Sequence, residues 1–460
     1  MVVRSVAALV AAVSLSACAG GADDGAPMAK KRLRDRIDPA VVGAAPDAGV
    51  TVAALEAQPP GSFTPQTRLG YTTGDQWEPA IAADRFGHVY VLAPQYGGVP
   101  GCPTCPSPTM ILQVSSDGGH TFDPPTQIAP PGSGQWDPQI VVDPVDGQTV
   151  YAAWLQNGKS DTVVARSTNF GQTWSVVVAD STNAGTDKPI LAVRGQDVYV
   201  AFNHSQKAWV AYSHDGGQTF TQKEIDKNGK LGWALVGGGT VAPNGSVHYG
   251  WAGYERNGGA TGNVNLFVSS SSDGGATWTT RVLDVSAAPP DCSAYLCGWA
   301  YLGAQLVVTS DATGTLYALW NANGTPQAPN RIYFATSTTN GASWSARTEV
   351  STAPAGSAHA FPAIVAGAAG DVRIGWMDSR AGTLWNTYYR ESANGGTTWS
   401  AERDLSTFVT GFSYIQANGF AYPYGDYWEL TIDGEGRTHG VWGEGLNYDS
   451  PGSIWYAREQ

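Results

Sequence analysis

The residues of this 460-residue chain best suited to chemistry are acidic. Asp378 lies in Trp376-Met-Asp-Ser-Arg380 and Glu444 in Trp442-Gly-Glu, each two residues beyond a tryptophan. The same aromatic position recurs at Trp154, Phe202, Trp251 and Trp320, followed at that spacing by Gln156, His204, Gly253 and Ala322. A second set, Glu78, Asp137, Asp187 and Asp426-Tyr427, stands at the start of a recurring apolar run such as Pro79-Ala-Ile81-Ala-Ala-Asp84. Paired carboxylates, one protonated and one ionised, are what glycoside hydrolysis requires. The plainer reading stays open beside it: acidic residues at strand ends also cap backbone amides, or hold water or a cation.

Such residues need a repeating frame, and the sequence supplies one. Ser271-Ser-Asp273-Gly-Gly275-Ala-Thr277-Trp278 follows the alternating Val264, Leu266 and Val268, as a hairpin tip follows a half-buried strand. Matching stretches begin at Ser115, Ser167, Ser213, Ser337 and Ser392. Gly supplies the positive φ of the turn, and the Asp or Asn accepts hydrogen bonds from turn amides. Ser-x-Asp-x-Gly-x-Thr-Trp is the Asp-box, and the chain resembles the sialidase-like Asp-box (BNR repeat) β-propellers. The apolar run repeats at Pro79, Pro138, Pro189, Gly239, Gly303, Pro362 and Asp426. Each unit therefore reads as one four-stranded blade.

Seven apolar runs against six Asp-boxes predict seven blades. The last unit stops after its third strand, Ser453 to Ala457. Phe63-Thr-Pro-Gln-Thr-Arg-Leu69 resembles Phe122-Asp-Pro-Pro-Thr-Gln-Ile128 and is expected to supply the missing fourth strand. The fold class is thus all-β, a seven-bladed propeller closed by its N-terminal strand, with the six-bladed sialidase type as the alternative. In such a blade the Asp-box turns lie on the bottom face. Loops between strands two and three, and between blades, form the top. The recurring aromatics fill the gaps between blades in one reading and rim the top face in the other.

On that top face the register of the repeats places the candidate site residues, while the resemblance itself carries over the fold and not the active site. Asp378, Glu444, Asp426 and Tyr427 are the catalytic candidates, and Arg380, Glu78, Asp137, Arg256 and Arg331 the substrate-binding ones. Sialidases clamp a carboxylate with three arginines and use a Tyr nucleophile beside a Glu. Arg68-Leu69-Gly70 does not match the family's Arg-Ile-Pro motif, and Tyr254-Glu255 and Tyr427-x-Glu429 are the available Tyr/Glu pairs. Cys102 with Cys105 and Cys292 with Cys297 are expected to form local disulfides, each worth about 2 kcal/mol by loop closure. No metal site or cofactor is predicted, and a structural cation such as calcium is compatible with the acidic ring.

Residues 1–17 read as a signal peptide, with Arg4 before the short apolar run Val6 to Val13. Leu15-Ser-Ala-Cys18 resembles a lipoprotein box, implying lipidation of Cys18; ordinary secretion after Ala17 is the alternative. Residues 18–61 form a tether rich in Ala, Gly and Pro, and residues 62–460 the propeller. The first 61 residues are neutral, so the body carries the whole net charge of −13, which argues against nucleic acid as a partner. The expectation is a monomeric, lipid-anchored protein of the cell envelope, in the outer membrane or at the surface, touching membrane only through its anchor. It would bind extracellular glycan or protein through its top face. A glycosidase of the exo-sialidase kind is the alternative, and a scaffold without a small-molecule site the third reading.

Overall fold

In a computed structural model the chain folds as seven antiparallel sheets around one axis. The structure describes residues 63–128, 133–181, 185–226, 232–255, 262–288, 302–381, 384–406, 425–445 and 452–460. Blades one to seven have inner strands at 75–83, Trp136–Val142, Asp187–Arg194, Trp233–Val241, Leu306–Ser310, His359–Ala366 and Glu429–Ile432. The predicted closure is present. Thr67–Leu69 pairs with Gly452–Arg458 in the register Thr67↔Tyr456, Arg68↔Trp455 and Leu69↔Ile454, as the outermost strand of blade seven. Phe63 bridges Glu459 and meets the Tyr389 ring edge-on at 4.9 Å, so the seam is sealed by an aromatic pair.

Each Asp-box hairpin is held as its residue types dictate. In the Asp-box turn of blade four, Asp273 Oδ1 accepts from the Thr277 amide at 2.9 Å, and Oδ2 from the Thr277 hydroxyl at 2.6 Å. The Ser271 hydroxyl accepts from the Gly275 amide at 2.9 Å, which closes the turn from its other side. Those bonds hold the Asp273 carboxyl down at about 2, the Thr277 hydroxyl being the largest cause. The recurring aromatics are core: Trp154, Phe202, Trp251, Trp320, Trp376 and Trp442 are all fully buried between blades. Their burial removes the top-rim reading.

The inner strands share an irregularity that matters for the site. Glu78, Asp137, Lys188 and Phe361 have φ of 53°, 54°, 52° and 54°, and each is followed by a proline. Proline cannot donate to the ladder and pushes its predecessor out of the right-handed helical region. The outcome is a β-bulge, with register shifts at Trp136/Gln139, Asp187/Ile190 and Ala360/Ala363. In blade one the same break splits the strand into Asp75–Gln76 and Ala80–Ala83. Bulges re-aim side chains, and three of these four residues are charged.

Candidate functional site

The three charged bulge residues meet at the axis. Lys188 of blade three reaches across the ring to the Asp426 carboxylate of blade seven, with its Nζ 3.9 Å above the centre of the Tyr427 ring. Lys159 Nζ lies 3.4 Å from both Asp137 Oδ2 and Asp187 Oδ1, tying blade two to blade three. Glu78 is hydrogen-bonded to Asp426. A Cβ at Gly425 would collide with the Glu78 side chain, so the glycine there makes room for this approach. Gln305 of blade five adds a bond from Nε2 to the Asp426 carbonyl at 3.1 Å. Glu429, three residues on, accepts from the Ile81 amide at 3.0 Å and from the Gln139 carboxamide.

Burial and crowding set the protonation of this cluster. Burial, the Asp426 charge and a shared hydrogen bond raise Glu78 well above its ordinary range. Burial lifts Asp187 to about 7 against the pull of Lys159, and lifts Glu429 to about 8. For Asp137 burial works upward too, but Lys159 and Lys188 outweigh it and hold the carboxyl below its usual range. Burial opposes the charge on both lysines, and the surrounding carboxylates more than compensate, raising both. The result is a nearly charge-balanced assembly that stores protons on carboxyls.

Beneath it runs the central channel, a cavity of about 690 Å³ lined by all seven inner strands. Its upper end is formed by Lys188, Gln305, Asp426, Tyr427 and Glu429, and its lower end lies among the turns of Asp84, Asp143 and Asp433. The walls between are mainly aliphatic. Among the described residues no group of three or more acidic, His or Cys side chains could hold a metal ion.

The structure thus brings together Glu78, Asp137, Asp426 and Tyr427 from the sequence-predicted set. It does not bring Asp378 to them. Asp378 is fully buried within blade six, accepting from Trp376 Nε1 at 2.8 Å, the Arg380 amide at 3.0 Å and Arg380 Nη2 at 2.6 Å. Arg380 also binds Glu402 and lies 3.8 Å over the Tyr388 ring, so both partners are committed to the blade. Arg331 is likewise spent on Glu349 and on the carbonyls of Ala353 and Ser357. Tyr254 donates to the Ala304 carbonyl at 3.0 Å, and Glu255 caps the Asn263 amide. The Cys102–Cys105 disulfide is formed. The Glu444 backbone belongs to strand Thr438–Gly445, while its side chain, Arg256, Cys18, Cys292 and Cys297 lie outside the described residues.

Sequence reasoning passed over Lys159 and Lys188 as members of this group, and offered Glu429 only as a partner of Tyr427. The signal for Lys188 was present: Lys188-Pro189 repeats the position of Glu78-Pro79 and Asp137-Pro138. Lys159 follows Asn157-Gly158 in a turn, with φ of 62°, and nothing in its local sequence aims it inward.

No protein-family model matches this sequence, and no curated protein matches it. Among solved structures, a protein of unknown function from Dyadobacter fermentans matches at TM-score 0.50 and 15% identity, over 87% of this chain and 99% of that one. An ulvan lyase of polysaccharide lyase family PL25, bound to -[GlcA(1-4)Rha3S]-, matches at TM-score 0.50 and 11% identity, over 84% and 95%. The Hadza microbial sialidase Hz136 matches at TM-score 0.42 and 14% identity, over 84% of this chain and 66% of its own. At these identities the likeness is one of fold, and in fold this all-β, seven-bladed ring is similar to the Dyadobacter protein and the ulvan lyase.

Proposed function

We propose that this chain is a glycan-binding β-propeller of the cell envelope, lipidated at Cys18, that holds its ligand at the axis of the ring. The observation that carries the reading is the convergence of Glu78, Asp137, Lys159, Asp187, Lys188, Asp426 and Tyr427 from four blades, with protonation displaced in both directions. Structural carboxylates are usually paired and ionised; a cluster of mixed protonation above a cavity is the pattern of a working site. The tether supports presentation of that end. Phe63 and Thr64 join at the bottom rim beside Arg458 and Glu459, so the chain enters on the face opposite the cluster.

One observation favours hydrolysis as a second reading. Asp137 and Asp187 share Lys159 yet are pushed apart, Asp187 to about 7 and Asp137 below its usual range. That is the division of labour between a proton-donating acid and an ionised partner. The test is a glycan array probed with the full-length chain, followed by fluorogenic glycosides of whichever sugars bind. Array binding lost in Asp426→Asn supports the axial site. Turnover abolished by both Asp137→Asn and Asp187→Asn would establish hydrolysis. A blank array together with capture of a purified envelope protein would replace the glycan reading with a protein-binding one.

A further inference from the structure

The strand of blade seven that faces the channel carries two polar groups that the fold leaves incompletely used. Along Tyr427-Trp-Glu-Leu430, Trp428 and Leu430 are buried toward the neighbouring blades, while Tyr427 and Glu429 are partly exposed and line the channel. Tyr427 precedes the strand Glu429–Ile432, and both residues line the upper end of the same cavity, close enough for the Glu429 charge to act on the Tyr427 hydroxyl. The Tyr427 hydroxyl is shielded from bulk solvent and finds no hydrogen-bond partner among the described residues. The Glu429 carboxyl receives the Ile81 amide and the Gln139 carboxamide, and no ammonium or guanidinium pairs with it among the described residues. Lys188, the nearest cation on this face, is committed to Asp426 and to the face of the Tyr427 ring.

A buried carboxyl without a counter-ion is costly to ionise, and a hydroxyl without a partner loses a hydrogen bond. One ligand chemistry repairs both at once. We propose that the upper end of the central channel is a binding site for an amino sugar, its ammonium group pairing with Glu429 and an adjacent hydroxyl hydrogen-bonding Tyr427. This rests on the glycan-binding reading above and names the class of sugar. A lysine side chain would satisfy the carboxyl, but it carries methylenes where Tyr427 needs a polar atom. A sialic acid or uronate finds no uncommitted cation at this end, because Lys188 and Lys159 are already paired with Asp426, Asp137 and Asp187. The cavity, at about 690 Å³, has room for one or two sugar rings, and the aliphatic walls of Ile81, Leu191, Leu235 and Val307 suit their C–H faces.

Because burial keeps the Glu429 carboxyl protonated near neutrality, binding of an ammonium group at pH 7 should drive its proton off. Isothermal titration calorimetry of the full-length chain therefore decides the matter, with glucosamine and its β-1,4-linked dimer set against N-acetylglucosamine, glucose and sialic acid. The amine sugars are expected to bind at least about tenfold more tightly than their acetylated counterparts. Their binding enthalpy should change with the ionisation enthalpy of the buffer, reporting proton release. Glu429→Gln, which keeps the size of the side chain, should abolish the preference and the buffer dependence. Tyr427→Phe should weaken all binding in the channel.

Equal affinity for amine and acetylated sugars in the unaltered protein, or an amine preference that survives Glu429→Gln, overturns the proposal. The first comparison needs no variant and so stands even if Glu429→Gln fails to fold. If the array identifies a bound glycan while none of the amine sugars binds, the proposal falls and the glycan-binding reading stands. A blank array and a blank titration remove both.

Discussion

Asp378 and Asp426 show how little a carboxylate's identity says about its use. Both lie at the upper ends of strands near a tryptophan, and both are almost inaccessible. Asp378 is saturated by Arg380 and Trp376, so its oxygens have no capacity left for a substrate. Replacing it with Asn leaves the Arg380 guanidinium beside a neutral amide in the interior of blade six. Breaking one side of a buried pair costs about 3 kcal/mol. Asp378→Asn is therefore expected to lower the urea midpoint markedly while leaving the axial cluster intact. An unchanged midpoint would show that the pair contributes no net stability. The Asp-box carboxylates behave differently, because they are exposed and act through turn amides. With Asp273 held at about 2 in the folded state, well under its ordinary 3.8, the contribution is complete above the ordinary value and is lost as pH falls through about 2. Thermal melts of the unaltered chain between pH 5 and pH 2 should fall in step with carboxylate protonation, and Asp273→Asn should flatten part of that slope.

At the scale of elements, the closing strand is the critical one. Thr67–Leu69 is only three residues long, yet it covers the edge of Gly452–Arg458 that would otherwise be open. Phe63 anchors it, 1% exposed, against Tyr389 of the preceding blade. Truncating a buried Phe to Ala costs about 3–5 kcal/mol, so Phe63→Ala should unfold at clearly lower temperature and expose a strand edge prone to association. Light scattering on heating checks the second half of that expectation. This closure was legible in the sequence, because Phe63 to Leu69 copies the rhythm of Phe122 to Ile128 and the last unit lacks a strand. Blade number and the burial of the aromatics were legible for the same reason: both depend on a period. The axial cluster was only half legible. Glu78, Asp137, Asp426 and Tyr427 could be placed by register, since repeats carry position along a strand. What register cannot show is which side chains reach from one blade to another, and Lys188 and Lys159 do so through a bulge and a left-handed turn. Asp378 stands apart from the axial cluster for a related reason. Its partner Arg380 is adjacent in sequence, and the sequence alone does not reveal whether a neighbouring arginine waits for a substrate or for the carboxylate itself.

For the whole molecule, the axis is where the ring joins across itself rather than around its circumference. Lys188 to Asp426, Gln139 to Glu429 and Gln305 to the Asp426 carbonyl link blades that are not neighbours in the ring. Such crossing contacts should make the blades melt together, and they also place protonatable groups where every blade feels them. Glu429 titrates at about 8 in the folded protein, raised by burial from an ordinary 4.5, and Asp187 at about 7, raised from 3.8. At these two carboxyls the folded state therefore binds more protons than the unfolded state from about pH 4 upward, and above about pH 6.5 the buried histidines, lowered from an ordinary 6.5, no longer oppose them. Where that holds, the stability of the fold falls as pH rises, and the loss from these two groups is complete once pH passes about 8. Above the histidine range, the unaltered chain is expected to melt at a lower temperature at pH 8.5 than at pH 7. Glu429→Gln carries a neutral side chain at every pH and keeps an acceptor for the Ile81 amide, so its melting temperature should vary less over that interval and exceed that of the unaltered chain at the alkaline end. Calorimetric melts at both pH values measure the difference directly. If the two proteins lost stability in parallel, Glu429 would already be ionised in the folded state, and its burial at the head of the channel would have to be compensated by a cation supplied from outside the described residues.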